Sequence, residues 1–198
     1  MTSKLCVIGN SHVASLKDGW PPLDAGATHV HADFFGCLKD GMKSFGSVEG
    51  KLGPRDPEAA TFFKSIATTG DFVEPDRYGA FVLTGMKFFP NGLIRNYANF
   101  ATPSTNNHNF ARNFVSDDTL VDALWDELNG GMMLHTARTL RAHSAAPIFL
   151  VWQPFLSEVL MQIEWRKAMY RPIVESGDGA FIQRIMALLD ARLKDEGF

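Results

Sequence analysis

A chain of 198 residues, 45% hydrophobic and 12% aromatic, has the length of one domain and ample apolar mass for a core. Its net charge of −3, with no run of Lys or Arg, argues against a nucleic-acid footprint. No stretch approaches the roughly 20 apolar residues that span a bilayer, and the apolar run after Lys4 stops at Gly9, too short for a secretion leader. Only two cysteines occur, Cys6 and Cys37, inside or just beyond apolar runs. They read as free thiols, which points to a reducing, cytoplasmic setting.

Residues 4–9 form the first apolar run, and it breaks at Gly9 to deliver Asn10-Ser11-His12 ahead of Val13-Ala14-Ser15-Leu16. A strand that turns at a glycine and opens a helix with a serine presents that hydroxyl at the carboxyl end of a parallel sheet, where such sheets bind ligands. The free N–H groups of the helix start then face any anion forming there. The competing reading is that Ser11 only caps the helix. Further runs cover residues 29–35, closing at Gly36, then 80–84, closing at Gly85, and 147–152, closing at Gln153-Pro154. Short apolar runs bounded by Gly or Pro and separated by amphipathic stretches predict an α/β domain with a parallel sheet covered on both faces.

The connecting segments differ in quality. Residues 36–75 are rich in Gly and polar side chains, and a small antiparallel decoration is expected there. Residues 65–73 read either as a hairpin around Thr69-Gly70-Asp71 or as the tail of a helix. Residues 117–143 read as helix interrupted at Gly130-Gly131, and residues 155–170 as helix limited by Pro172. Asp178 is expected to cap a last helix in which Phe181, Ile182, Ile185, Met186, Leu189 and Leu193 fall at helical spacing.

The opening strand with Gly9-Asn10-Ser11-His12 resembles the first block of the SGNH (GDSL-like) hydrolase family, in the variant with Asn before the serine. The resemblance implies a flavodoxin-like three-layer α/β/α sandwich with a mostly parallel sheet, here one domain over residues 1–198. It implies a serine nucleophile at Ser11. The oxyanion hole would be built from the Ser11 N–H, the glycine after the second strand (Gly36) and an asparagine after the third. At that third position Gly85 fits, but Lys87 stands where the asparagine belongs. A Lys ammonium would act there as a point charge without the fixed geometry of an amide. Asn91, Asn96 and Asn99 follow as substitutes.

The family's base is a histidine near the C-terminus with an aspartate three residues earlier, and this sequence has no Asp-x-x-His. Since a helix like the last one leads in α/β order to another strand, the chain reads as lacking its C-terminal strand and catalytic-histidine segment. Among other histidines, His12 adjoins Ser11 and reads as a structural hydrogen-bonding group, because neighbouring side chains at a helix start diverge. His143 falls at the opposite pole of the sheet and His135 on a helix surface. His108, in a loop after the third strand, is the spare base. A serine hydroxyl is a poor nucleophile until a base takes its proton.

Weaker patterns remain. His29, His31 and Asp33 alternate along one strand face and resemble metal ligands by type, but read as the polar entry of a strand. Trp152 and Gln153 line either a crevice or the core. Trp165, Arg166, Lys167, Tyr170 and Arg171 read as a solvated helix face. The expected function is hydrolysis or transfer of an acyl group, including an acetyl ester on a carbohydrate, through an acyl-enzyme on Ser11. No metal or organic cofactor is implied, and the partner is a small-molecule or carbohydrate ester. The alternative is a non-catalytic carbohydrate- or partner-binding module on the same fold. A third, lesser reading is a nucleotide-binding flavodoxin-like protein, against which Gly9 has no companion glycine before Gly19.

Overall fold

The computed structural model describes residues 4–24, 30–89, 91–109, 111–153 and 163–198, apart from the side chains of residues 21–24, 91 and 166. The chain divides into two compact units, one of residues 1–88 with 130–153 and one of residues 89–129 with 154–198.

The first unit holds the central sheet. Strands β1 (Lys4–Gly9), β2 (His31–Gly36), β5 (Ala80–Thr84) and β8 (Ile148–Val151) run parallel in the order β2-β1-β5-β8. This is an α/β fold with the strand order of a flavodoxin-like sheet. Register places Leu5, Val7, Ala32, Phe34 and Val82 on one face and Cys6, Ile8, Phe35, Phe81 and Leu83 on the other. Burial on both faces of β1 is why it reads as a nearly continuous apolar run, whereas β8 leaves Phe149 and Val151 exposed on the first face. Helix α1 (His12–Asp24) covers the first face, where Val13 and Trp20 pack on Val7 and Phe34. On the second face Phe63 of α2 (Pro57–Ile66) stacks on Phe35, with ring centroids 5.4 Å apart. Helix α5 (Met132–Arg141) packs against β5 and β8.

An antiparallel hairpin, β3 (Phe45–Val48) and β4 (Lys51–Pro54), decorates this unit. The decoration lies at residues 45–54 rather than 65–73. There α2 runs to Ile66 and the chain then bends through Gly70 before Val73 bridges to Leu52. Asp56 caps α2 by accepting from the Ala59 N–H at 2.8 Å.

The second unit contains α3 (Asn91–Asn96), the short strands β6 (Phe100–Ala101) and β7 (Asn113–Phe114), α4 (Asp117–Asn129), α6 (Glu164–Ser176) and α7 (Gly179–Asp195). The interruption between α4 and α5 falls at Gly130-Gly131, as expected. Pro172 does not limit α6, which continues to Ser176. An interior proline costs about 3 kcal/mol. Beyond it, Ser176 Oγ donates to the Pro172 carbonyl at 2.8 Å and Ile173 is buried, so the last turn is held by other means. Gly177, at φ 73°, ends the helix instead, with the Asp178 N–H returning to the Ile173 carbonyl. Asp178 stands at the N-cap of α7, yet its carboxylate makes no cap bond. It accepts from Tyr97 and from the N–H and amide of Asn106.

Candidate functional site

Three loops meet at the carboxyl ends of β2, β1 and β5, and small residues let them approach. A Cβ at Gly9 would lie 2.2 Å from the Thr84 carbonyl oxygen, and one at Gly36 would lie 2.9 Å from that of Gly9. A Cβ at Gly85 would lie 2.2 Å from Asn10 Oδ1 and 2.8 Å from His12 Nδ1. Ser11 therefore stands beside two glycines, Gly36 and Gly85, that flank the same strand end. Its side chain is exposed at the start of the 13-residue α1.

Asn10 shapes this corner. It is 9% exposed, and its Oδ1 accepts from the His12 backbone N–H at 3.3 Å, an Asx-turn that launches the helix. Only an oxygen accepts from an N–H, so the amide orientation is fixed. The same oxygen lies 2.7 Å from His12 Nδ1, which must then carry the proton. In the neutral imidazole, Nε2 is left as the open acceptor. The hydrogen-bonding role expected for His12 is present, and Asn10 is its partner, which sequence reasoning missed. The signal was the Asn-x-His spacing, since an Asx-turn joins residues i and i+2.

Beyond Gly85 (φ 71°), Met86 and Lys87 also have positive φ, 51° and 58°, and the Phe88 N–H returns to the Gly85 carbonyl at 2.9 Å. Positive φ at both central residues is the signature of a type I′ turn. For non-glycine residues this conformation costs about 1–2 kcal/mol each. Full burial of the Met86 side chain offsets about 1.5–3 kcal/mol of it. Phe88 stacks on Trp152 at 4.1 Å and its carbonyl accepts from the Gln153 N–H, which ties the turn to the end of β8. Trp152 thus serves packing.

The turn aims Lys87 at Asp40. Lys87 Nζ lies 2.8 Å from Asp40 Oδ1, and Lys43 Nζ lies 2.9 Å from Oδ2. Hydrogen bonds from Lys87 and then Lys43 hold the Asp40 carboxyl down at about 2. Lys87 thus fills the expected asparagine position with its charge already engaged. Asp40 is the other member that sequence reasoning missed, because its partner lies 47 residues away. Cys37, next to Gly36, offers no thiolate: burial, then the charge of Asp56, pushes it up to about 12.

The remaining candidates sit elsewhere. His108 belongs to the second unit, where its Nε2 donates to the Thr102 carbonyl at 2.8 Å, leaving Nδ1 as acceptor. The side chain of Asn91 lies outside the described residues. Asn96 bonds the Gly92 carbonyl, and the Asn99 carbonyl accepts from Asn113, both within the second unit. His135 Nε2 meets the Phe45 carbonyl at 2.7 Å, and His143 Nδ1 meets that of Thr139. His29 lies outside the described residues and His31 is exposed. Asp33 is not an exposed entry residue. It is 5% exposed and takes Lys4 at 2.7 Å and the hydroxyls of Thr69 and Tyr78 at 2.8 Å each. No group of three potential metal ligands occurs among the described residues. No helix among them is long and apolar enough to cross a membrane.

No protein-family model, curated protein or solved structure matches the chain.

Proposed function

We propose that the chain is a serine-dependent ester hydrolase or acyl transferase whose nucleophile is Ser11. The observation that carries the reading is the exposure of Ser11 at the start of α1, after a strand flanked by β2, which ends at Gly36, and β5, which Gly85 follows.

In this reading the Ser11 oxygen bonds the acyl carbon as its proton passes to an imidazole. The ester alcohol departs with a proton, and water later cleaves the acyl-serine. The backbone N–H groups of Ser11 and Gly36 stabilise the oxyanion, because those of His12 and Val13 already donate to Asn10. His12, with Nε2 open, is the imidazole of the same unit weighed as base. The acyl group includes acetyl, and the alcohol includes a carbohydrate hydroxyl.

The test is hydrolysis of p-nitrophenyl acetate by the full chain and by Ser11→Ala. Loss of one developing covalent path should lower kcat/KM by at least about 10³-fold. Equal rates from the two proteins would remove Ser11 from the chemistry. The engagement of Lys87 by Asp40 favours the second reading, a binding module that keeps the fold without turnover. That reading expects folded protein, no hydrolysis, and ligand binding that Ser11→Ala leaves intact.

A further inference from the structure

We propose that the Ser11 site takes a substrate bearing a carboxylate, read by Lys87 and Lys43 in the position that the Asp40 carboxylate fills. This inference rests on the acyl-transfer reading for what happens to the ligand, but its recognition step stands on separate observations.

The first is topological. Strand β1 lies between β2 and β5 in the sheet. Asp40 belongs to the loop that leaves β2 and Lys87 to the turn that leaves β5. An ion pair joining those two loops therefore spans the carboxyl end of β1, the strand that delivers Ser11. Close approach of Gly36 to Gly9, and of Gly85 to Asn10 and His12, brings the three connections together.

The second is chemical. Each oxygen of the Asp40 carboxylate has its own ammonium partner, Lys87 on Oδ1 and Lys43 on Oδ2. The loops thus display how they would hold a carboxylate that arrived on a ligand. All three groups are substantially exposed, with side chains 65%, 66% and 42% accessible, so exchange needs no unfolding. Exposed pairs of this kind are weak, worth about 1 kcal/mol or less, so an incoming carboxylate competes on nearly equal terms.

The third is charge. The chain carries a net −3, yet these loops carry Lys39, Lys43 and Lys87 against Asp40 alone. The neighbouring Asp56 is committed to capping α2. The helix start adds positive potential of its own. A neutral ester gains nothing from this local excess, whereas a carboxylate gains from every part of it.

The experiment uses Ser11→Ala protein, so that binding is read without turnover. Calorimetric titration compares monobenzyl succinate, an anion, with its neutral methyl ester. The anion should bind about 5-fold more tightly, and about 0.5 M salt should shrink the difference. Asp40→Asn removes the internal competitor and should widen the preference, while Lys87→Met should collapse it. Equal affinity for the two ligands, in both the Ser11→Ala protein and its Asp40→Asn derivative, overturns the carboxylate site. Hydrolysis of neutral and anionic esters by the unaltered chain is scored separately. A Lys87-dependent preference without hydrolysis upholds the carboxylate site and sinks the serine chemistry. Ser11-dependent hydrolysis without a preference does the reverse.

Discussion

Asn10 and His12 share one oxygen, and that sharing decides which ring nitrogen of His12 faces solvent. Oδ1 accepts from the His12 backbone N–H and lies 2.7 Å from Nδ1, so the proton sits on Nδ1. Nitrogen-15 NMR of the imidazole should report an Nδ1–H tautomer at neutral ring charge. In Asn10→Ala that preference should vanish and α1 should lose about 1 kcal/mol with its launching turn. An Nε2–H tautomer in the unaltered protein would contradict the assignment. At this scale the sequence was partly legible. Ser11 was picked out because the first strand breaks at Gly9 and delivers it to a helix start, and Gly36 through the resemblance to the SGNH family. Asp40 was invisible, because its meaning comes from Lys87 and nothing local to residues 39–43 announces that partner.

The turn after β5 shows what an element can enforce. Gly85 needs its missing side chain twice, once for φ 71° and once because Asn10 Oδ1 occupies the space a Cβ would take. Gly50, in the β3–β4 hairpin, needs it only for φ 82°, with nothing within 4 Å of its virtual Cβ. Gly50→Ala should therefore cost about 1–2 kcal/mol. Gly85→Ala should cost more, about 3 kcal/mol or above, and should displace the His12 ring. Urea denaturation of the two variants checks the ranking, and equal losses would show that the contact with Asn10 is not formed. Strands β1, β2, β5 and β8 were readable from the sequence because each is a short, mostly apolar run bounded by Gly or Pro. Helix α6 was misjudged at Pro172, since no local rule shows that Ser176, Ile173 and Gly177 secure the turn beyond it.

For the whole chain, the polar heart of the first unit is the buried Asp33 rather than the Ser11 site. Burial tends to raise its pKa, but hydrogen bonds from Lys4, Tyr78 and Thr69 outweigh this and the value is lowered. A carboxyl whose folded pKa lies below its unfolded value of about 3.9 contributes stability that is fully present above that value. The contribution is lost as pH falls through the folded pKa. Urea-derived stability of the unaltered protein should therefore drop below about pH 4 more steeply than that of Asp33→Asn. At neutral pH, Asp33→Asn should be less stable by about 3 kcal/mol, since Lys4 is left facing a neutral group. Parallel acid profiles for the two proteins would mean that Asp33 is not ionised in the fold. The sequence placed Asp33 on the correct strand but on the wrong side of the solvent boundary. Its partners Thr69 and Tyr78 come from segments 36 and 45 residues away, and strand alternation carries no information about them.

As the proposed nucleophile, Ser11 carries an acyl group during turnover. The most direct measurement is peptide mass spectrometry after acid quenching of the full chain during reaction with p-nitrophenyl acetate. One acetyl group is expected on the peptide containing Ser11, appearing within a turnover, decaying in buffer, and missing from heat-unfolded protein. Acetyl groups confined to lysines, with Ser11 unmodified while p-nitrophenol is still released, would contradict it.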